Sequence, residues 1–453
     1  RIQAWISASA LRDRAGLGRE VEILEAYAAD PVAAAASWGE YWGDWWHAHV
    51  SVDDSPWTAS ADSAAAWRAA PAQLGPWEQW GIEPLAAFDG TLWYRSHAEL
   101  SAEQAQQSAV LELGAADEID VTWVNGRGVG SEYAPGSPRR YPLPPGILRA
   151  GRNDIVLAVV DTYRNGGLGG PADAQAIRFG DGTRVVLGPD WEYRVGADSS
   201  QSPPRAPWHT ASGLSTLHNG MIAPLGRFGF RGVIWYQGES NTFEPERYRS
   251  LLETWSADWR AQFGASLPFF IVQLANYGAL PAVPRESGWA GLREAQRLFT
   301  QTDPHAGLAV TIDLGERDDI HPPNKQALGR RLTRVVLDQV YGRSVQARSG
   351  PVPREIRRSG GSVTLRFATE SGKLAVFGAA RPIGFELCGS GDAGCRFVDA
   401  EANGEQVTLA VPQGFAPVAV RYAWSDSPLV NLFDANGLPV IPFEHPIPFT
   451  ADD

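Results

Sequence analysis

From Gly232 onward the sequence alternates short apolar runs with longer stretches of helical periodicity, and this alternation restricts the fold more than any other feature. Val233-Ile234-Trp235-Tyr236 is strand-length and ends in Gln237-Gly238. Tyr248, Leu251, Leu252, Trp255, Trp259 and Phe263 then recur three or four apart, on one face of a helix that Gly264 closes. Residues 269–274 read as a buried strand, 291–299 as a helix and 308–312 as another strand. Pro323 opens a last helix with Leu328, Leu332, Val335, Val336 and Val340 on one face, ended by Gly342. Strands separated by helices pair in parallel, because a parallel neighbour is reached only by a crossover. The carboxyl ends of such strands share one edge, and a functional site is expected there.

Residues 88–195 read differently. Val110-Leu111-Glu112-Leu113, Val121-Thr122-Trp123-Val124 and residues 155–160 are short strand-like runs between Gly, Pro and Asn turns, the pattern of an all-β sandwich. The tail from Arg343 is again short strands with glycine-rich turns. The expected organisation is therefore an α/β parallel-sheet domain in two segments, 1–87 and 201–342. A jelly-roll-like β insertion at 88–200 lies between them, and a C-terminal all-β module follows at 343–453. The alanine run at 32–36 and the Trp-rich stretch after it read as helix plus loop.

At 453 residues the chain exceeds one ordinary core, and 44% hydrophobic with 20% charged residues describes a globular protein. A net charge of -13 argues against nucleic acid as a partner, and the apolar run at 267–274 is far too short to span a bilayer. Tryptophan occurs 18 times. Indole faces stack on sugar rings, but they also fill cores, and both readings stay open. Cys388 and Cys395 flank a Gly-rich turn between two strand-like runs, so a hairpin bridged by a disulfide is expected, as in an exported protein. The sole methionine is Met221 and the sequence opens Arg1-Ile2-Gln3, from which an upstream segment is expected. Secretion or periplasmic export is the expected localisation.

Two stretches carry chemistry. In Trp235-Tyr236-Gln237-Gly238-Glu239-Ser240-Asn241, polar side chains follow a strand end, where Trp235, Glu239 and Asn241 are candidates for substrate contact. Ser240 invites comparison with a nucleophile elbow, but the glycine required two residues later is Thr242, so it is not read as the nucleophile. Gln237 suits an amide donor to a developing oxyanion. In Asp318-Asp319-Ile320-His321-Pro322, His321 can take and return a proton near neutral pH, and an acid three residues earlier can orient its ring. Asp318 is the candidate and Asp319 competes. Asp44, His47 and His49 are read as parts of a Trp-rich loop rather than a metal site.

Together these blocks resemble the sialate O-acetylesterase branch of SGNH hydrolases. Ile2-Gln3-Ala4-Trp5, residues 217–225, residues 232–241, Asp319-Ile320-His321-Pro322-Pro323-Asn324-Lys325 and residues 418–424 with Asn431-Leu432 carry the likeness. The resemblance implies an SGNH-type parallel-sheet sandwich, N-terminally incomplete, with His321 as catalytic base and Asp318 as orienting acid. The family's Gly-Gln-Ser-Asn nucleophile block has no counterpart in this sequence. The implied activity is removal of O-acetyl groups from sialic acid or an acetylated polysaccharide. The serine would come from an N-terminal fragment acting as partner, with neither metal nor organic cofactor. This chain alone would be inactive. Two rivals stand beside this reading: a non-catalytic carbohydrate-binding fragment, and a glycosidase with Glu239 and Asp318 as paired carboxylates. Trp123 with Asn125-Gly126 resembles sugar-binding sandwiches of glycoside hydrolases, whose inserts are often structural only.

Overall fold

A computed structural model describes residues 1–58, 67–162, 165–198, 203–209, 213–369 and 371–448. The fold is mixed α/β, with six sheets among the described residues. The chain divides into two compact units: residues 1–15 with 215–453, and residues 16–214. The expected boundary at residues 200 and 201 lies outside the described residues. No helix among those described is long and apolar enough to cross a membrane.

The first unit is built on a parallel sheet of Val233–Trp235, Phe269–Val272 and Ala306–Ala309, with the Phe269–Val272 strand in the middle. All four residues of that middle strand are buried, as a parallel strand covered on both faces requires. Among the described residues the chain has six α-helices: α1 (Ala8–Arg14), α2 (Gly18–Ala29), α3 (Pro31–His49), α4 (Pro245–Phe263), α5 (Gly288–Thr302) and α6 (Lys325–Tyr341). Helix α4 buries the stripe Tyr248, Leu251, Leu252, Trp255 and Trp259 that its spacing predicts, and Gly264 follows its last turn. Helix α5 starts three residues earlier than its apolar pattern, because Ser287 Oγ accepts the Ala290 N–H at 3.0 Å and caps it. Helix α6 begins at Lys325 rather than Pro323, because Asn324 is the residue that caps it. Gly342 ends it in the left-handed conformation, at φ 59°.

The C-terminal part of this unit holds two four-stranded antiparallel sheets. In one of them Cys388 and Cys395 lie opposite each other on neighbouring strands and are joined by a disulfide. The hairpin expected from the cysteine spacing is present.

The second unit contains a six-stranded and a five-stranded antiparallel sheet sharing one apolar core, with Leu92, Tyr94, Leu111, Leu113, Leu157 and Ile177 among its members. Helices α2 and α3 fall in this unit, although the sequence reading placed residues 1–87 with the parallel sheet. The reason lies in the tryptophans. Trp38, Trp42 and Trp46 repeat every four residues on α3 and pack with Trp93 and Trp123 of the six-stranded sheet in one buried cluster. The tryptophan excess in this region is core filling, and Trp123 is enclosed rather than offered to a ligand. Asp44 pairs with Arg19, His47 with Ser55, and His49 with the Trp45 carbonyl, so these three side chains do not converge.

One buried ion pair ties the six-stranded sheet to the five-stranded one, Asp120 being on a strand of the first and Arg139 on a strand of the second. Arg139 and Asp120 are both fully buried, with Arg139 Nε 2.6 Å from Asp120 Oδ1. The remaining guanidinium N–H groups donate to the carbonyls of Ala134, Ser137 and Glu118, and the Tyr141 hydroxyl donates to Asp120 at 2.8 Å. Burial pushes the Asp120 carboxyl up, against the pull of the Arg139 charge. Removing one partner leaves an uncompensated charge, which costs more than the pair is worth. Arg139→Met is expected to lower stability by about 3–5 kcal/mol, and Asp120→Leu added to it to recover part of the loss. Urea unfolding of the three proteins checks this, and equal midpoints for Arg139→Met and its parent would refute it.

Candidate active site

Gln237 is two residues beyond the end of the Val233–Trp235 strand, and its position is over-determined. Its carbonyl accepts from the Tyr248 hydroxyl at 2.8 Å and from Gln296 Nε2 at 3.4 Å. Its own amide Nε2 donates to Asn241 Oδ1 at 3.3 Å, which leaves the second amide hydrogen uncommitted. The Tyr248 hydroxyl also accepts the Trp235 indole N–H at 3.1 Å, so one phenol ties helix α4 to both ends of this turn. Burial holds that phenol well above its ordinary pKa, and it stays a neutral donor.

Trp235 and Asn241 are 6% and 3% exposed. They hold the site in place and offer it little surface. Trp235 packs with Trp255 at 4.4 Å and edge-on with Trp5 at 5.9 Å. Asn241 Oδ1 accepts from the Ile2 N–H at 3.1 Å, and its Nδ2 donates to Gln3 Oε1 at 3.0 Å, so the short 3-10 helix Ile2–Trp5 docks directly behind the turn. A Cβ at Gly238 would come within 2.6 Å of Leu292 Cδ2 and 3.1 Å of Leu274, so a side chain there would push both leucines aside. Glu239 is half-buried and its Oε2 accepts the Gly238 N–H at 2.9 Å. Ser240 is exposed, on the single 3-10 turn Glu239–Asn241.

The second block follows the Ala306–Ala309 strand, and parallel pairing delivers it to the same edge of the sheet. Contact between the blocks is direct at one point: Lys325 Nζ, four residues after His321, lies 5.0 Å from the centre of the Tyr236 ring. Burial, and then the nearby Glu239 charge, push the Tyr236 phenol up. His321 is exposed, and its backbone N–H donates to Asp319 Oδ1 at 2.8 Å. Neither Asp318 nor Asp319 hydrogen-bonds its ring among the described residues. Asp318 instead lines a cavity of about 340 Å³ with Asn276, Gly315 and Ser427.

The loops around that cavity are cross-tied. Asn276 Oδ1 accepts the Gly315 N–H at 3.0 Å, the Gly278 N–H donates to the Arg317 carbonyl at 2.9 Å, and the Tyr277 N–H to the Asp426 carbonyl at 3.2 Å. Arg293 of α5 is fully buried and donates to the Ser425 carbonyl, and to the Asp426 carbonyl at 3.4 Å. Burial lowers its pKa to about 10, against the pull of Asp426, so it remains a cation at neutral pH. Arg331 of α6 grips Asp313 with both terminal nitrogens, at 2.5 and 2.7 Å.

Tyr248, Gln3 and Arg293 escaped the sequence reading. Tyr248 belongs to the apolar stripe of its helix, and its hydroxyl is the one sign in the sequence of a further role, since a buried phenol needs a partner. Gln3 and Arg293 gave no local signal, because their partners are more than a hundred residues away. Among the described residues, Glu386, Cys388 and Cys395 come close enough together to suggest a metal site, but both sulfurs are in the disulfide.

Residues 211–338 match the family model of carbohydrate esterases described as sialic acid-specific acetylesterases. The sialate O-acetylesterase of Mus musculus is 30% identical over 236 residues, covering 47% of this chain and 43% of that protein. Its Homo sapiens counterpart is also 30% identical, covering 47% and 44%. A carbohydrate acetylesterase from Xanthomonas citri of known structure is 25% identical, covering 77% of this chain and 99% of that one, with a TM-score of 0.47. The chain spans less than half the length of the curated relatives it matches. The segment matched by the family model contains both blocks of the candidate site.

Proposed function

We propose that this chain carries the base and the oxyanion donor of an O-acetylesterase acting on an acetylated glycan, with the nucleophilic serine supplied by a segment outside this sequence. The serine attacks the acetyl carbonyl, His321 accepts the serine proton and passes it to the leaving sugar oxygen, and the free Gln237 amide hydrogen meets the developing oxyanion. Water then releases acetate by the same steps in reverse order. Asp318 orients the His321 ring once substrate and serine are in place, since catalytic hydrogen bonds commonly tighten only in the complex. The observation that carries this reading is the approach of Lys325 to Tyr236, which supports a single site at one sheet edge for the two blocks. The parallel sheet is then part of an SGNH-type hydrolase domain, and the six- and five-stranded antiparallel sheets of the second unit are its jelly-roll-like insertion. The resumption of the first unit at residue 215 after a break at 15 supports that arrangement.

The outside segment has support of its own. The Val233–Trp235 strand pairs on one side only among the described residues, and Ile234 on it is 60% exposed. Met221, Phe228 and Phe230 expose further apolar surface from the segment just before it. An open parallel edge with apolar surroundings suits another strand of the same domain.

In the full-length protein, His321→Ala should lower kcat for acetate release by at least about 10²–10⁴-fold with the melting temperature unchanged. Retention of a tenth of the parent kcat would sink the assignment. Gln237→Ala should cost about 10²–10³-fold in kcat with little change in KM, since an oxyanion donor acts in the transition state. A change in KM alone would make Gln237 a ground-state sugar contact. The isolated 453-residue chain should hydrolyse 4-nitrophenyl acetate only at the background rate of an exposed histidine. Fast hydrolysis blocked by a fluorophosphonate, with the label on Ser240 or another serine of this chain, would place the nucleophile inside it.

A further inference from the structure

Asn276 is half-buried, four residues beyond the end of the Phe269–Val272 strand, and it takes no part in the chemistry above. Its segment runs between the two blocks of the candidate site. On one side Gln296 of α5 joins it to the Gln237 turn: Oε1 accepts the Leu274 N–H at 3.0 Å while Nε2 donates to the Gln237 carbonyl at 3.4 Å. On the other side the Gly278 N–H donates at 2.9 Å to the carbonyl of Arg317, four residues before His321. Its strand is the middle one of the three, so Asn276 is the half-buried polar residue at the centre of the edge.

The orientation of its amide is fixed. The Gly315 N–H lies 3.0 Å from Oδ1, and a backbone N–H can only donate, so the branch facing it is the oxygen. Gly315 permits this close approach: a Cβ there would come within 2.2 Å of the Asn276 carbonyl oxygen and 2.5 Å of Oδ1. Nδ2, the other branch, has the buried Ser427 Oγ 3.5 Å away, at the outer limit of a hydrogen bond. Its second hydrogen has no acceptor among the described residues. The acceptor of this amide is thus committed and its donor is held ready.

The position of that donor selects which part of a substrate it can meet. Asn276, Gly315 and Ser427 line the cavity of about 340 Å³ that also takes Arg317 and Asp318 of the His321 loop into its wall, and Gln237 is not among the lining residues. In the reading above Gln237 meets the acyl oxygen, and His321 returns its proton to the leaving sugar oxygen. A cavity bordered by the His321 loop is therefore on the alcohol side of the ester.

We propose that Asn276 is a specificity-determining residue for the alcohol part of the ester: Nδ2 donates to a sugar oxygen next to the one that carries the acetyl group, while the Gly315 N–H holds the amide in place. This rests on the esterase reading for the identity of the site. It is distinct from the role of Gln237, because a contact to the leaving sugar is made in the ground state as well as in the transition state.

The full-length protein and its Asn276→Ala and Asn276→Asp variants are assayed for acetate release from 9-O-acetyl-N-acetylneuraminic acid, from acetylated xylotetraose and from phenyl acetate, whose leaving group brings no second oxygen. For the sugar that the parent cleaves better, Asn276→Ala should raise KM by about 3–10-fold, the worth of one neutral hydrogen bond, with little change in kcat. The ratio of kcat/KM for that sugar to kcat/KM for phenyl acetate should fall by the same factor. Asn276→Asp keeps an oxygen for the Gly315 N–H and loses the donor, so it should melt with the parent and still raise KM. A residue that only buttresses Gly315 behaves otherwise: Asn276→Ala lowers kcat/KM for both kinds of substrate together, and Asn276→Asp restores it. That result overturns the proposal, and so does a parent-like KM in Asn276→Ala. In both cases an active parent leaves the esterase reading standing. A parent that releases acetate from neither sugar removes the esterase reading and this role together.

Discussion

Parallel pairing of three short strands is the constraint on which the candidate site depends. Strands that run the same way deliver every carboxyl end to one edge, and each return crossover must pass over a face as a helix. Gln237, Asn276 and Asp318 follow the three strands in turn, and so they come to the same edge although they are scattered over more than eighty residues. The strands themselves span only three or four residues each, so the edge would be poorly defined if the sheet ladder alone held it.

What defines it is a set of polar anchors behind the edge. The Tyr248 hydroxyl joins Trp235 to the Gln237 carbonyl, Asn241 joins Gln237 to the Ile2–Trp5 helix, and Arg293 holds the loop at Ser425 and Asp426 against α5. Arg331 does the same for Asp313 on the far side. Each anchor is buried or half-buried, where a hydrogen bond is expensive to break and water cannot replace it. The turn after the first strand is therefore rigid. His321, by contrast, is exposed, and neither Asp318 nor Asp319 hydrogen-bonds its ring among the described residues.

Much of this was legible in the chain. Tyr248, Leu251, Leu252, Trp255 and Trp259 recur at helical spacing and are buried together, and the apolar run at 269–272 is a strand enclosed on both faces. The cysteine hairpin followed from eight residues of sequence, because a bridge across two adjacent strands is a local affair. The tryptophans were the ambiguous case. Sequence spacing says that Trp38, Trp42 and Trp46 share a helix face, but whether that face meets a sugar or a sheet depends on Trp93 and Trp123, far along the chain.

The sequence by itself determined what is short-range: the alternation of strand and helix, the edge that parallel pairing brings together, and the residue types that follow the strand ends there. Only the tertiary structure decided which residues hold that edge and which are merely near it in sequence. Asp318 is three residues from His321, yet its carboxylate lines a neighbouring cavity and makes no bond to the imidazole. Gln3 is more than two hundred residues from Asn241, yet it is bonded to it. Periodicity reports which face of an element is apolar, and carries no information about the distant partner that a buried amide, phenol or guanidinium needs to satisfy its hydrogen bonds.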